Sequence, residues 1–153
     1  MKKFILALIV LVTFASCQEQ KIGFVDNGKV INDIQEKKDI ESKYKTINES
    51  FKLRADSLGK TYQSEYQNLQ AKAATMSSSK QQEAVKAFQA KAQQFQLMMQ
   101  TEQQQIQTAY QADVDSVISK MKKTVTDYGK ANGYKFIFGT NESIGTVLYG
   151  DDA

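Results

Sequence analysis

The chain has 153 residues, 20 basic against 17 acidic side chains, one cysteine, and no His, Pro or Trp. That length holds one domain, and the lack of His removes the commonest general base and metal ligand, which excludes Ser/His/Asp and Cys/His constellations. With no CxxC, P-loop or GxGxxG pattern, and Arg54 as the sole Arg for bidentate phosphate or base contacts, no catalytic residue, cofactor, metal site or nucleic-acid partner is expected.

Met1-Lys2-Lys3 is basic, and Phe4 to Phe14 is apolar apart from Thr13. A membrane-spanning helix needs roughly 20 such residues, so 1–16 reads as a signal peptide. Cys17 follows two small residues, Ala15 and Ser16, and precedes polar Gln18-Glu19-Gln20, where a lipoprotein signal places its cysteine; Phe14 stands where Leu is usual. Acyl chains on Cys17 would bury many CH₂ groups at ~0.8 kcal/mol each, and two or more chains anchor stably. A plain secretory cleavage near Ser16 is the alternative. Lipidation at Cys17 leaves no thiol for a disulfide, so the fold must hold by packing or oligomerisation. Loss of residues 1–16 removes Lys2 and Lys3, leaving 18 basic against 17 acidic side chains, a net of +1. Gln18 in place of Asp favours anchoring in the outer over the inner membrane.

Lys21-Ile22-Gly23-Phe24-Val25-Asp26 reads as a short strand closed by the turn cluster Asp26-Asn27-Gly28. Residues 29–128 contain no Pro, one Gly (Gly59), and many Gln, Lys, Glu and Ala, a helix-forming composition. Apolar positions in the first half fall at Ile40, Tyr44, Ile47, Phe51, Ala55, Leu58, Tyr62, Tyr66, Leu69 and Ala73, an eleven-residue repeat. Eleven residues in three turns is about 3.67 per turn, nearly straight with slight right-handed coiling. The second half carries the same period: Phe88, Met99, Tyr110 and Met121 in one row; Ala84, Phe95, Ile106, Val117 and Tyr128 in another; Ala92, Val114 and Val125 in a third, interrupted by Gln103. Between the halves lies Thr75-Met76-Ser77-Ser78-Ser79, and Ser79 with Gln82 reads as an N-cap and capping-box partner for the return helix. Two matched stripes across a short break predict an antiparallel helical hairpin, its outgoing arm ~50 Å long. Tyr134-Lys135-Phe136-Ile137-Phe138 and Thr146-Val147-Leu148-Tyr149 read as further strands around the turn 139–145.

The expected fold class is therefore α+β, a long hairpin arm (29–128, tip near 75–79) on a small β head (21–28 and 129–151). Three short strands are near the lower limit of independent stability, so copies are expected to join through the head, closing its strand edges. The residues assigned to that contact are Ile22, Phe24, Phe136, Phe138, Val147 and Tyr149. In-register aromatics read as hairpin seam. Off-register Leu53, Leu97 and Met98 are not needed by the seam and are the candidates for contact with another molecule, Met being suited to promiscuous contact.

The opening strand Lys21–Asp26, the polar hairpin, the segment Ala131-Asn132-Gly133-Tyr134-Lys135-Phe136-Ile137-Phe138 and the close Val147-Leu148-Tyr149-Gly150-Asp151 together resemble the OmpH-like (Skp) periplasmic chaperones. The resemblance implies a homotrimer whose heads join in a β-barrel-like body, with hairpin arms enclosing a cavity in a jellyfish-like assembly. It implies an ATP-independent holdase that keeps unfolded outer-membrane proteins from aggregating before membrane insertion. Soluble members lack a lipidated cysteine, are more basic, and continue into a final short helix. A structural spacer or adaptor lipoprotein of the cell envelope is the alternative reading of the same hairpin and Cys17.

Overall fold

The computed structural model describes residues 20–141 and 143–151; the expected signal peptide and Cys17 lie outside them. The elements run β1 (Ile22–Val25), α1 (Asn27–Asp33), α2 (Gln35–Ala73), α3 (Ser78–Ala131), β2 (Phe136–Gly139) and β3 (Val147–Gly150). Two compact units result: Ile34–Val117, and a second from the residues up to Asp33 together with those from Ile118 onward. The architecture is an α+β helical hairpin with a small β head.

Central β2 pairs parallel with β1 and antiparallel with β3, giving the order β1-β2-β3. The register aligns Ile22 with Phe136 and Phe24 with Phe138, while Ile137 faces Tyr149. Side chains alternate across a sheet, so Ile22, Phe24, Phe136 and Phe138 share one face, and Gly23, Ile137 and Tyr149 the other. Ile31, Met121, Ile137, Leu148 and Tyr149 are the buried apolar side chains of this unit. Gly129 lets α3 approach the Tyr149 ring so closely that a Cβ would collide with it, and a Cβ at Gly23 would meet the Tyr134 ring at 2.8 Å.

The turn expected at Asp26-Asn27-Gly28 is instead a helix start. The Asp26 carboxylate accepts the Lys29 N–H at 2.8 Å, an N-cap bond to the third helical residue. Asn27, in the first turn of α1, is fully buried. Its Nδ2 donates to the carbonyls of Asn141 and Gly145, both at 3.2 Å, and its Oδ1 accepts the Asn141 N–H at 2.8 Å. One amide thus ties α1 to the β2–β3 loop, and Gly139 leaves the room it occupies.

Both ends of the long helices follow local chemistry. The helical run expected from Lys29 is broken at Ile34, whose ψ of 124° is extended. Asn32 and Asp33, modest helix formers, precede the break, and the Ile34 carbonyl accepts the first N–H bonds of α2, from Lys37 and Lys38. At the tip, Ser77 rather than Ser79 precedes the return helix: its carbonyl accepts the Gln81 N–H at 2.9 Å, and Ser79 is already helical. Helix α3 ends in a Schellman motif. Gly133 has φ +67°, Tyr134 N–H bonds to Gly129 O and Gly133 N–H to Lys130 O, and the Tyr134 ring lies 5.8 Å from that of Tyr128.

Within the hairpin unit the eleven-residue stripes meet. Tyr44 packs edge-on against Tyr110 at 5.3 Å, Tyr62 stacks on Phe95 at 4.8 Å, and Tyr66 lies 5.4 Å from Phe88. Tyr44 and Val117 are buried and most other stripe residues are half-buried, because two helices alone leave the rims of each stripe wet. Gln103, which interrupts the third row, is exposed.

Asn27→Ala should remove the three bonds and strand the Asn141 N–H and Gly145 carbonyl. Such losses cost about 1–3 kcal/mol, and thermal unfolding followed by near-UV circular dichroism should show the head melting lower while the hairpin's far-UV signal is little changed.

Candidate functional site

Outward-facing residues of the head form an apolar patch. Phe24 is 76% exposed, Val147 57% and Ile22 48%, and the rings of Phe24, Phe138 and Phe136 follow one another at 5.7 and 5.9 Å. Isolated exposed apolar residues are ordinary, whereas a contiguous apolar sheet face marks a place where another surface docks. Tyr149, grouped with these residues from the sequence, turns the other way and is buried against Gly129. The irregular register between Ile137 and Phe138 explains why Leu148 and Tyr149 are both buried although they are consecutive.

Leu53 lies on α2, and Leu97 and Met98 lie together on α3; they are 71%, 64% and 50% exposed. Leu97 and Met98 border a shallow depression with Gln94, Thr101 and Gln105. From Ala92 to Ala112 the one charged residue is Glu102, and Arg54 neutralises it. The segment that carries Leu97 and Met98 is therefore polar or apolar without net charge.

A ladder of ion pairs crosses the hairpin, and the sequence reading missed it. Lys43 pairs with Asp113 at 2.9 Å, Arg54 with Glu102, and Glu65 with Lys91 at 2.7 Å. Successive rungs step forward eleven residues on α2 and back eleven on α3, so the charges obey the period of the apolar stripe. The signal was present as charge recurring at that spacing on both helices. Half-exposed pairs of this kind stabilise little, but their signs discriminate. Sliding one helix by a repeat brings Arg54 opposite Lys91 in one direction and Glu65 opposite Glu102 in the other. Each slip also sets one opposite pair together, Lys43 with Glu102 or Arg54 with Asp113, so three attractive rungs are exchanged for one attractive and one repulsive.

Around the first rung, Asp113 accepts from both Lys43 Nζ and Tyr44 Oη at 2.9 Å. The Lys43 ammonium, then the Tyr44 hydroxyl, hold the Asp113 carboxyl below its ordinary range. Asp113 in turn raises Lys43, while burial of the phenol, followed by its bond to Asp113, raises Tyr44. Among the described residues no cluster of acidic or Cys side chains could hold a metal, and no helix is long and apolar enough to cross a membrane.

A depressed carboxyl stabilises the fold above its unfolded pKa and loses that contribution as pH falls through the folded value. Raised Lys43 and Tyr44 act oppositely, their contribution being complete below their ordinary pKa values and lost as pH climbs through the raised ones. Asp113→Asn should therefore lower the hairpin's melting temperature at pH 7, and thermal scans should show the difference from wild type shrinking below pH ~4.

A family model described as outer membrane protein (OmpH-like) matches residues 21–153. No curated protein and no solved structure matches the chain. The family's members are periplasmic chaperones. With every residue after 20 in the match, the chain belongs to the OmpH-like family.

Proposed function

We propose that this protein is an ATP-independent holdase: copies assemble through the β head as a homotrimer, and their hairpins hold unfolded outer-membrane proteins until membrane insertion. The observation that carries the reading is the exposed phenylalanine face. A head of three four-residue strands that leaves Phe24 on its surface gains most by burying that face against copies of itself. Apolar burial contributes roughly 25 cal/mol per Å², and closure also removes the edges of β1 and β3 from pairing with foreign strands.

The hairpin suits weak, multiple contact. Leu53, Leu97 and Met98 are exposed without belonging to the seam, and several weak contacts from linked arms gain avidity while each stays easily broken. Release then needs a better acceptor rather than a nucleotide. Cys17, bearing lipid, would keep the assembly at the outer membrane, close to where clients insert.

Native mass spectrometry of the mature chain should show three copies. Phe24→Lys, which places a charge on an already exposed position, should give folded monomers by circular dichroism and suppress aggregation of a diluted, denatured β-barrel protein far less well than wild type. A monomeric wild type, or no suppression at one trimer per client, overturns the reading. Cys17→Ala should move the protein from the membrane to the soluble fraction.

A further inference from the structure

Two asparagines of the chain precede a glycine, Asn27 and Asn132, and the fold treats them oppositely. In an Asn-Gly pair the glycine nitrogen can reach the preceding side-chain amide, because no Cβ obstructs the approach. Asn27 is fully buried and both ends of its amide are bonded, so ring closure there is blocked. Asn132, at the end of α3, is exposed, as is Gly133, and a Cβ built on Gly133 would meet nothing within 4 Å. Asn132 Nδ2 donates to the Tyr128 carbonyl at 2.8 Å, but that oxygen already accepts the Asn132 N–H at 3.0 Å. The Gly133 N–H lies 3.5 Å from its acceptor, the Lys130 carbonyl, beyond the usual range of a hydrogen bond.

The peptide group joining Asn132 to Gly133 also carries a cation. Lys21 Nζ donates to its carbonyl oxygen at 3.1 Å and lies over the Tyr134 ring, 4.2 Å from the centroid. An ammonium on that oxygen draws charge from the Gly133 nitrogen and stabilises the anion formed when the nitrogen loses its proton. We infer that Asn132 is a site of spontaneous modification, promoted by Lys21. The Gly133 nitrogen gives its proton to hydroxide and attacks Asn132 Cγ. The Cγ–Nδ2 bond breaks, and the amide nitrogen takes a proton from water and leaves as ammonia. Water then opens one or other C–N bond of the cyclic imide, leaving aspartate or isoaspartate at 132. Lys21 and Gly23 share the sheet face away from the phenylalanines, so the head contact proposed above leaves Lys21 in place. Aspartate puts a carboxylate where Nδ2 donated, facing the Tyr128 carbonyl at the negative end of α3. Isoaspartate routes the main chain through the side chain and adds one carbon just before left-handed Gly133. Either product loosens the cap from which β2 starts.

The site stands independently of the holdase reading. The test is peptide mapping by mass spectrometry of the full mature chain, aged in mildly alkaline buffer either folded or unfolded in guanidinium chloride. In the folded chain Asn132 should convert while Asn27 keeps its amide; in the unfolded chain both should convert. Lys21→Met, which keeps the side chain's length without its charge, should slow conversion of folded Asn132 about two- to fivefold, the factor an exposed charge contact supplies. It should leave the unfolded rate unchanged, whereas a Lys21 that merely held the structure would, on removal, loosen the cap and speed conversion. Asn132→Asp should lower the melting temperature of the head by near-UV circular dichroism. Conversion of Asn132 no faster than that of Asn27 in the folded chain, or an Asn132 amide that survives there while the unfolded chain converts, overturns the site. An unchanged or faster rate in Lys21→Met overturns the part assigned to Lys21, and an unchanged melt of Asn132→Asp overturns the effect on the cap.

Discussion

The eleven-residue period of apolar side chains is the constraint on which the hairpin depends. A repeat of 3.67 residues per turn keeps one stripe facing its partner over many turns with little supercoiling. Both helices carry it, so one seam suffices from Tyr44–Tyr110 to Tyr66–Phe88. The cost is a thin core, with few hairpin residues fully buried. A thin core of repeated, similar rungs also invites slippage by one repeat. Ion pairs on the same period counter this, because either slip exchanges three attractive rungs for one attractive and one repulsive. The apolar stripe supplies the attraction and the charges choose among its registers.

In the head the decisive group is polar. Asn27 satisfies backbone groups of the β2–β3 loop from within α1, so the short strands need not define that loop alone. Glycines at 23 and 129 let two tyrosine rings lie against backbone, and Gly133 ends α3 with the left-handed residue its cap requires. These devices bury one face of the sheet. The other keeps its phenylalanines, a division of labour suited to a unit completed by assembly.

Period, break and strands were legible in the sequence because each is a local or repeating pattern. The stripe positions proved to be mostly half-buried, with Tyr44, Val117 and Met121 fully buried and Tyr66 and Tyr128 more exposed than their rows implied. What was not legible depends on long-range geometry. Asp26-Asn27-Gly28 has the composition of a turn, and only the loop at Asn141 and Gly145, more than a hundred residues on, makes Asn27 a buried helix residue. Tyr149 could not be turned inward without the register irregularity at Ile137. The helix start at Ser77 instead of Ser79 is a choice among three serines that composition leaves equal. The charge ladder needed both helices aligned before its pairs could be named.

Holding an unfolded chain asks for surfaces that are sticky but weakly so, and a hairpin with an incomplete seam and an uncharged central segment meets that demand. The most direct measurement is a pair of spin-label distances in the mature chain carrying Cys17→Ser. Labels at Lys60 and Gln96 share the ladder's register and should lie near the interhelix spacing of about 10 Å plus the label linkers. Labels at Lys60 and Gln107 should be clearly farther apart, because eleven residues displace the second site by about 16 Å along its helix. A Lys60–Gln96 distance near 54 Å, the span of an unbroken rod at 1.5 Å per residue, would contradict the hairpin and everything built on it.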